Sequence, residues 1–292
     1  MYEHTAHQAR GIADFDLFPY TPSAPAAWTF VVLFGIAAVL HFGYMVTFQS
    51  WFFIPFILGC IGEAGGYYGR AWAHQNIRNG TPYLIQMMLI LGSAPLLAAT
   101  VYMTLGRFAT ALDARQHSLL GPKKTTTLFV VIDIASFVCQ MWGSAAQASG
   151  PEGAAQGMKI VLGGLGVQLV ALLCFVGMVA VLHVRLNREP TSASRRAHIR
   201  WRKYVWGLYA VSVLFLARNV FRFVEFAEGA DGSIVRTEAL MYVFDASLLF
   251  AGTVVFLVVH PGMLIRGLRK AGVGMMEDEE DKDGVLLGGY RR

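Results

Sequence analysis

The sequence predicts an all-α polytopic membrane fold: a bundle of seven transmembrane helices with its N-terminus outside and its C-terminus in the cytoplasm. Three observations carry this. The 292 residues are 55% hydrophobic and only 15% charged, against roughly 25% charged in an average soluble domain, and mean hydropathy is +0.49. Seven apolar stretches recur along the chain. Lys and Arg gather on one side of those stretches.

The stretches cover about 25–47, 51–69, 82–106, 126–147, 159–184, 204–226 and 239–260, most of them long enough to cross with some tilt. The second is the weakest, because Pro55 and several glycines interrupt it and Glu63 lies inside it. Leaving it out would spoil the alternation of charge between successive loops. Helices of this length consume half to two thirds of the chain, so one domain is expected: a polar outer tail over 1–24, the bundle over 25–266, and a cytoplasmic tail over 267–292. The first segment, with Glu3, Asp14 and Asp16 and no apolar core, does not read as a cleavable signal peptide. The first span is expected to target the membrane itself.

Orientation follows from the basic residues. Arg107, Arg115, Lys123 and Lys124 follow span three; Arg185, Arg188, Arg195, Arg196, Arg200, Arg202 and Lys203 follow span five; Arg266, Arg269, Lys270, Lys282, Arg291 and Arg292 follow span seven. Those seventeen face only Arg10, Arg70, Arg78, Lys159 and Arg236 on the other side, which places the basic loops and the C-terminus in the cytoplasm. The same topology explains the formal charge of +5 and excludes nucleic acid as a partner. The basic 185–203 loop also reads as topological, with contact to anionic lipid heads as the lesser alternative.

An ionisable side chain inside a span is costly unless it is paired or faces water. Span two places Glu63, Tyr67 and Arg70 on one helical face, and span four carries Asp133, Ser136, Gln140, Ser144 and Gln147. Span six contributes Arg218, Arg222 and Glu225, and span seven Glu238, Tyr242 and Asp245. In the expected orientation Glu63, Gln140, Gln168, Arg218, Arg222, Glu225, Tyr242 and Asp245 fall in the outer half of the bilayer, with His41 and Asp133 nearer the cytoplasm. A polar cavity opening outward is expected. The charges of Glu63, Glu225 and Asp245 against Arg218 and Arg222 nearly cancel, as mutual pairing in low dielectric requires. Interhelical locking is the alternative to a ligand pathway for any one of them.

Other features carry less. Gly62-x-x-x-Gly66 and the glycines at 163, 164 and 166 suit close helix packing. Cys60, Cys139 and Cys174 lie within apolar stretches and read as buried thiols with no metal-ligand spacing. His41, His183 and His260 fall toward cytoplasmic span ends, but none has a second ligand at i+3 or i+4 on its own helix, so no metal is expected. Gly121-Pro122-Lys123-Lys124-Thr125 lacks both the first glycine and the preceding strand of a phosphate loop, so there is no nucleotide site and no cofactor is expected. The sequon Asn79-Gly80-Thr81 lies too near span three to suggest glycosylation, and the acidic run 277–281 reads as a solvated, disordered tail.

Tyr20-Thr21-Pro22-Ser23, Glu63 with Gly66-Tyr67 and Arg70, Ala94-Pro95 with Tyr102 and Gly106-Arg107, Asp133 with Gln140, Gly164 with Gln168, Arg218 with Phe221-Arg222 and Glu225, and Glu238, Tyr242, Asp245 and His260-Pro261 stand in a characteristic order. In that order, from about Tyr20 to Arg266, the chain resembles the fungal lipid-translocating exporter family, also known for aminocholesterol resistance. The resemblance implies a fungal multi-pass protein, often of the plasma membrane, linked to sphingoid long-chain base export, sterol-analogue resistance or, in some relatives, porphyrin uptake. No catalytic residue set comes with it.

The leading expectation is a translocator, not an enzyme, of an amphiphilic lipid or sterol-like molecule. Its tail would stay among membrane lipids and apolar helix faces while its head visits Glu63, Tyr67, Gln140, Gln168, Arg218, Arg222, Glu225, Tyr242 and Asp245. Asp133 is the candidate proton carrier for coupling to a gradient. The rival readings are a seven-span ligand receptor or sensor and, less favoured, an intramembrane zinc-dependent lipid hydrolase.

Overall fold

The computed structural model describes residues 16–147, 151–195, 200–229 and 232–270. The first fifteen residues and the acidic run of the C-terminal tail lie outside the described residues. Among the described residues the chain forms seven long helices: α1 (Ala24–Phe48), α2 (Ile54–Ala73), α3 (Gly80–Ala111), α4 (Pro122–Gln147), α5 (Pro151–Arg188), α6 (Trp201–Glu228) and α7 (Glu238–Lys270). Short connections make successive helices run up and down. The end at which α1 begins is called the upper end, and the end carrying the basic loops the lower end.

Local chemistry sets the helix ends. Pro25 and Pro55 stand in the first turns of α1 and α2, where a missing N–H costs nothing. Asn79 caps α3 by accepting a hydrogen bond from the Thr81 N–H at 3.0 Å, which gives the asparagine of the sequon a structural role. Gln49 closes α1 in the left-handed region, φ 53°. The helical segment of α7 is interrupted at Val259 and His260, just before Pro261.

Six of these helices, all except α2, are long and apolar enough to cross a membrane. At 20 residues, α2 would reach about 30 Å, but Glu63, Arg70 and its five glycines lower its hydropathy. It is laid between α1 and α3, with both ionisable side chains buried. Apolar side chains cover the outside of the bundle: Val39 and Trp142 are 70% exposed and Val258 71%, an outer surface that suits lipid and not water. The chain is an integral, multi-pass membrane protein.

Close approach of α2 and α3 rests on the absence of side chains. A Cβ at Gly59 would meet Leu97 Cγ at 2.7 Å, one at Gly66 would meet Ile90 Cγ1 at 2.5 Å, and one at Gly62 would run into Ser93 Oγ. The small-residue spacing seen in the sequence is a packing seam. The expected burial of the thiols holds for Cys60, whereas Cys139 and Cys174 are exposed on the bundle's exterior, because the apolar stretches that carry them also supply the lipid-facing surface.

At the lower end Thr191 Oγ1 donates to Leu112 O at 2.6 Å and Arg185 Nη1 to His117 O at 3.3 Å, tying the α3–α4 loop to α5. Replacing Gly62 by leucine is expected to cost about 1–3 kcal/mol through overpacking, read as a lower melting temperature in detergent. Gly35→Leu, at a position with nothing within 4 Å, should leave it unchanged. Equal losses at both positions would contradict the α2–α3 seam.

Candidate functional site

Asp245 is wholly buried in a π-helical turn, Tyr242–Ala246, near the start of α7. Such a turn inserts a residue into the helical register and recurs at functional sites. Two arginines of α6, one turn apart, reach it. Arg218 Nε donates to Oδ1 at 2.6 Å, while Arg222 donates to both oxygens, Nη2 to Oδ2 at 2.6 Å and Nε to Oδ1 at 3.2 Å. Arg222 Nη1 also donates to Glu225 Oε2 at 3.0 Å. Two cations thus meet two carboxylates, and the fork geometry satisfies most of their polar atoms without water.

That pairing leaves one acid over. Glu63 on α2 is 0% exposed, and neither of its oxygens has a hydrogen-bond partner. The Tyr67 hydroxyl, one turn further along α2, and Arg218 Nη2 are also buried and unpartnered. Glu63 lies within the electrostatic field of Asp245, Arg218 and Arg222, and Tyr67 within that of Asp245, Glu63, Arg222 and Arg70. A carboxyl group, a phenol and a guanidinium N–H thus belong to one buried polar cluster without hydrogen-bond partners, an expensive arrangement that is characteristic of functional sites in membranes.

Above this cluster Arg70 forms a latch. Its Nε donates to the Tyr242 hydroxyl at 3.0 Å, and its Nη2 to the Tyr20 hydroxyl at 2.6 Å and Glu238 Oε1 at 3.0 Å, with Gln86 Oε1 at 3.5 Å from Nη1. Glu238 Oε1 also accepts the Ser23 N–H at 2.8 Å. The latch joins the segment preceding α1 to α2, α3 and α7. The guanidinium lies over the Tyr242 ring at 5.3 Å and the Tyr20 ring at 5.5 Å, a cation–π arrangement strengthened by desolvation.

On the far side, Gln140 Nε2 of α4 donates to Gln168 Oε1 of α5 at 3.3 Å. Asp133 is buried, with neither oxygen in a hydrogen bond of good geometry, although Tyr102 and Gln168 lie near it. Gln168, Tyr102 and Arg218 line one small internal void of about 10 Å³. A polar seam therefore crosses the bundle from Asp133 to Glu63.

Of the residues the sequence proposes, Glu63, Tyr67, Arg218, Arg222, Glu225, Tyr242 and Asp245 come together, while Gln140 and Gln168 form a neighbouring pair reached through that void. These groups are packed against one another in the structure; the outward opening expected from the sequence would require the helices to part. Sequence reasoning missed Tyr20 and Gln86 as partners of Arg70. An arginine inside a span signals that partners exist, but Tyr20 lies in an irregular segment where no periodicity points to it. His41 and His260 do approach, with ring centroids 6.0 Å apart, whereas His183 packs elsewhere, against Trp201, Trp206 and Tyr209. Among the described residues no three His, Cys, Asp or Glu side chains converge as metal ligands.

Removing one partner of a buried, hydrogen-bonded charge pair costs about 3–5 kcal/mol, so Arg70→Gln is expected to lower the melting temperature and speed limited proteolysis of the segment before α1. Arg70→Lys should lie between wild type and Arg70→Gln, since an ammonium cannot span the same four acceptors. Unchanged proteolysis in Arg70→Gln would contradict the latch.

A family model described as RTA1 like protein matches residues 56–268. Similar proteins include three from Saccharomyces cerevisiae. Protein RTA1 is 31% identical, with 85% of each chain covered. Protoporphyrin uptake protein 1 is 32% identical over 80% of this chain and 88% of its own. Sphingoid long-chain base transporter RSB1 is 24% identical over 82% of this chain and 72% of its own. No solved structure matches. With the family model spanning most of the bundle, the chain belongs to the RTA1-like protein family.

Proposed function

We propose that this protein is a translocator of an amphiphilic lipid of the sphingoid-base type, crossing the plasma membrane seven times with its N-terminus outside. The observation that carries the reading is Glu63: a buried carboxyl group with no hydrogen-bond partner in the protein, in the same polar cluster as an unpartnered phenol and an unpartnered arginine N–H. An amine on a polar head would bond to Glu63, and an adjacent hydroxyl would accept from Arg218 Nη2 or Tyr67. Charge-assisted hydrogen bonds in low dielectric favour such a head strongly over a purely apolar molecule.

Support also comes from the relatives. Their names specify a sphingoid long-chain base in one case and protoporphyrin in another, molecules that share an apolar body and polar groups. The packed seam represents a closed state. Opening would separate α2 from α6 and α7 toward the outside, with the π-helical turn and the glycine seam as the places where backbone register and contact change most readily. Asp133, buried without a well-formed hydrogen bond, is the group that would carry a proton if movement is coupled to a gradient.

Vesicles containing the purified protein are expected to move a labelled long-chain amino alcohol across the bilayer faster than empty vesicles. Glu63→Gln is expected to lower the initial rate roughly tenfold or more, the value of a charge-assisted hydrogen bond. A rate equal to that of empty vesicles would exclude transport of this substrate. Saturable binding without movement would favour a receptor.

A further inference from the structure

A far larger space than the void beside Gln168 lies at the opposite end from the polar seam. Between the lower parts of α3, α4 and α7 is a cavity of about 660 Å³, within the range of small-molecule pockets. Met103, Ile265 and Leu268 supply apolar wall, and Arg107, Lys123 and Arg269 supply charge. A second cavity of about 210 Å³ shares Arg107, Ile265 and Arg269 with it and adds Arg266 and Lys270. Among the described residues no carboxylate lines either space.

The contrast with the upper end is chemical. There, Arg70, Arg218 and Arg222 each have a carboxylate partner. Among the described residues, none of the five basic side chains around the lower cavities forms an ion pair. Arg107 is held over the Phe52 ring at 4.7 Å, which fixes the guanidinium while leaving its N–H groups available, and Arg266 donates to Thr47 O. Topology alone requires basic residues at this end, but not that they converge on a hollow with an apolar wall.

We propose that this hollow is a binding site for an anionic lipid of the adjacent leaflet, its phosphate held by Arg107, Lys123 and Arg269 and one acyl chain lying along Met103, Ile265 and Leu268. Basic pockets between transmembrane helices on the cytoplasmic side hold anionic headgroups in this way. The apolar wall distinguishes a lipid from a free anion: inorganic phosphate would use the charges and leave the hollow unfilled. The site is separate from the Glu63 cluster and does not depend on the transport reading.

The test is native mass spectrometry of the full chain from mixed micelles of phosphatidic acid and phosphatidylcholine. Wild type is expected to retain phosphatidic acid preferentially. Arg107→Gln with Arg269→Gln, both exposed positions, should lower that retention roughly tenfold or more, while Arg202→Gln with Lys203→Gln, basic residues of the same end that do not line the hollow, should leave it unchanged. Ala111→Phe, which narrows the hollow and keeps every charge, should also lower retention, and melting temperatures near wild type establish that the variants are folded. The proposal is overturned by equal retention of the two lipids, by an equal effect of the Arg202 and Lys203 pair, by a folded Ala111→Phe variant that retains lipid normally, or by displacement of the lipid with millimolar inorganic phosphate.

Discussion

A carboxylate placed where neither water nor lipid can solvate it must find cations, and Asp245 finds two. The bonds from Arg218 and Arg222 fix α6 against α7 at the depth of the π-helical turn, and much of the upper half follows from that placement. With Asp245 held inward, Tyr242 one turn earlier faces Arg70, and Arg70 in turn gathers Tyr20 and Glu238. The segment preceding α1 is thereby pinned to the far end of the chain. Buried ion pairs seldom add net stability over an apolar core. Here they specify which helix faces which.

The same pairing gives the bundle its asymmetry. Arg218 and Arg222 are neutralised by Asp245 and Glu225, so Glu63 remains without a counter-ion at bonding distance although it sits in their field. A buried acid that makes no hydrogen bond in the resting fold is a candidate for a group used during function. At the lower end the imbalance is reversed, with basic side chains around an apolar hollow and, among the described residues, no acid lining it. On the two proposed readings, a head carrying an amine suits the upper cluster and a head carrying a phosphate the lower one. The two ends of the protein thus offer different chemistry to the two leaflets.

Periodicity and charge in the sequence were enough to locate the helices, because lipid imposes length and apolarity on each one independently. α2 is where that signal thins: its glycines and its two ionisable residues serve α3 and the polar seam, at the expense of the hydropathy by which a span is recognised. The stripe Glu63, Tyr67, Arg70 was legible from spacing alone, as were Arg218, Arg222 and Asp245. Their partition was not. The near cancellation of five charges could not show that Asp245 takes both arginines and Glu63 neither, since that depends on the π-helical turn, whose altered register leaves no mark in a periodic pattern. The latch through Tyr20 and the hollow beside Arg107 were also hidden, the first because it uses an irregular segment, the second because topology already accounts for basic residues at that end.

The division of labour between the two buried acids is open to direct measurement by thermal unfolding of Asp245→Asn and Glu63→Gln side by side in lipid nanodiscs. Asp245→Asn leaves two buried arginines short of an anion and is expected to lose about 3–5 kcal/mol. Glu63→Gln exchanges an acid that no protein group bonds for an amide of the same shape, and is expected to match or exceed wild-type stability, as changes at functional positions often do. Comparable losses in both variants would show that Glu63 is as much a part of the lock as Asp245, and would contradict its assignment to the ligand.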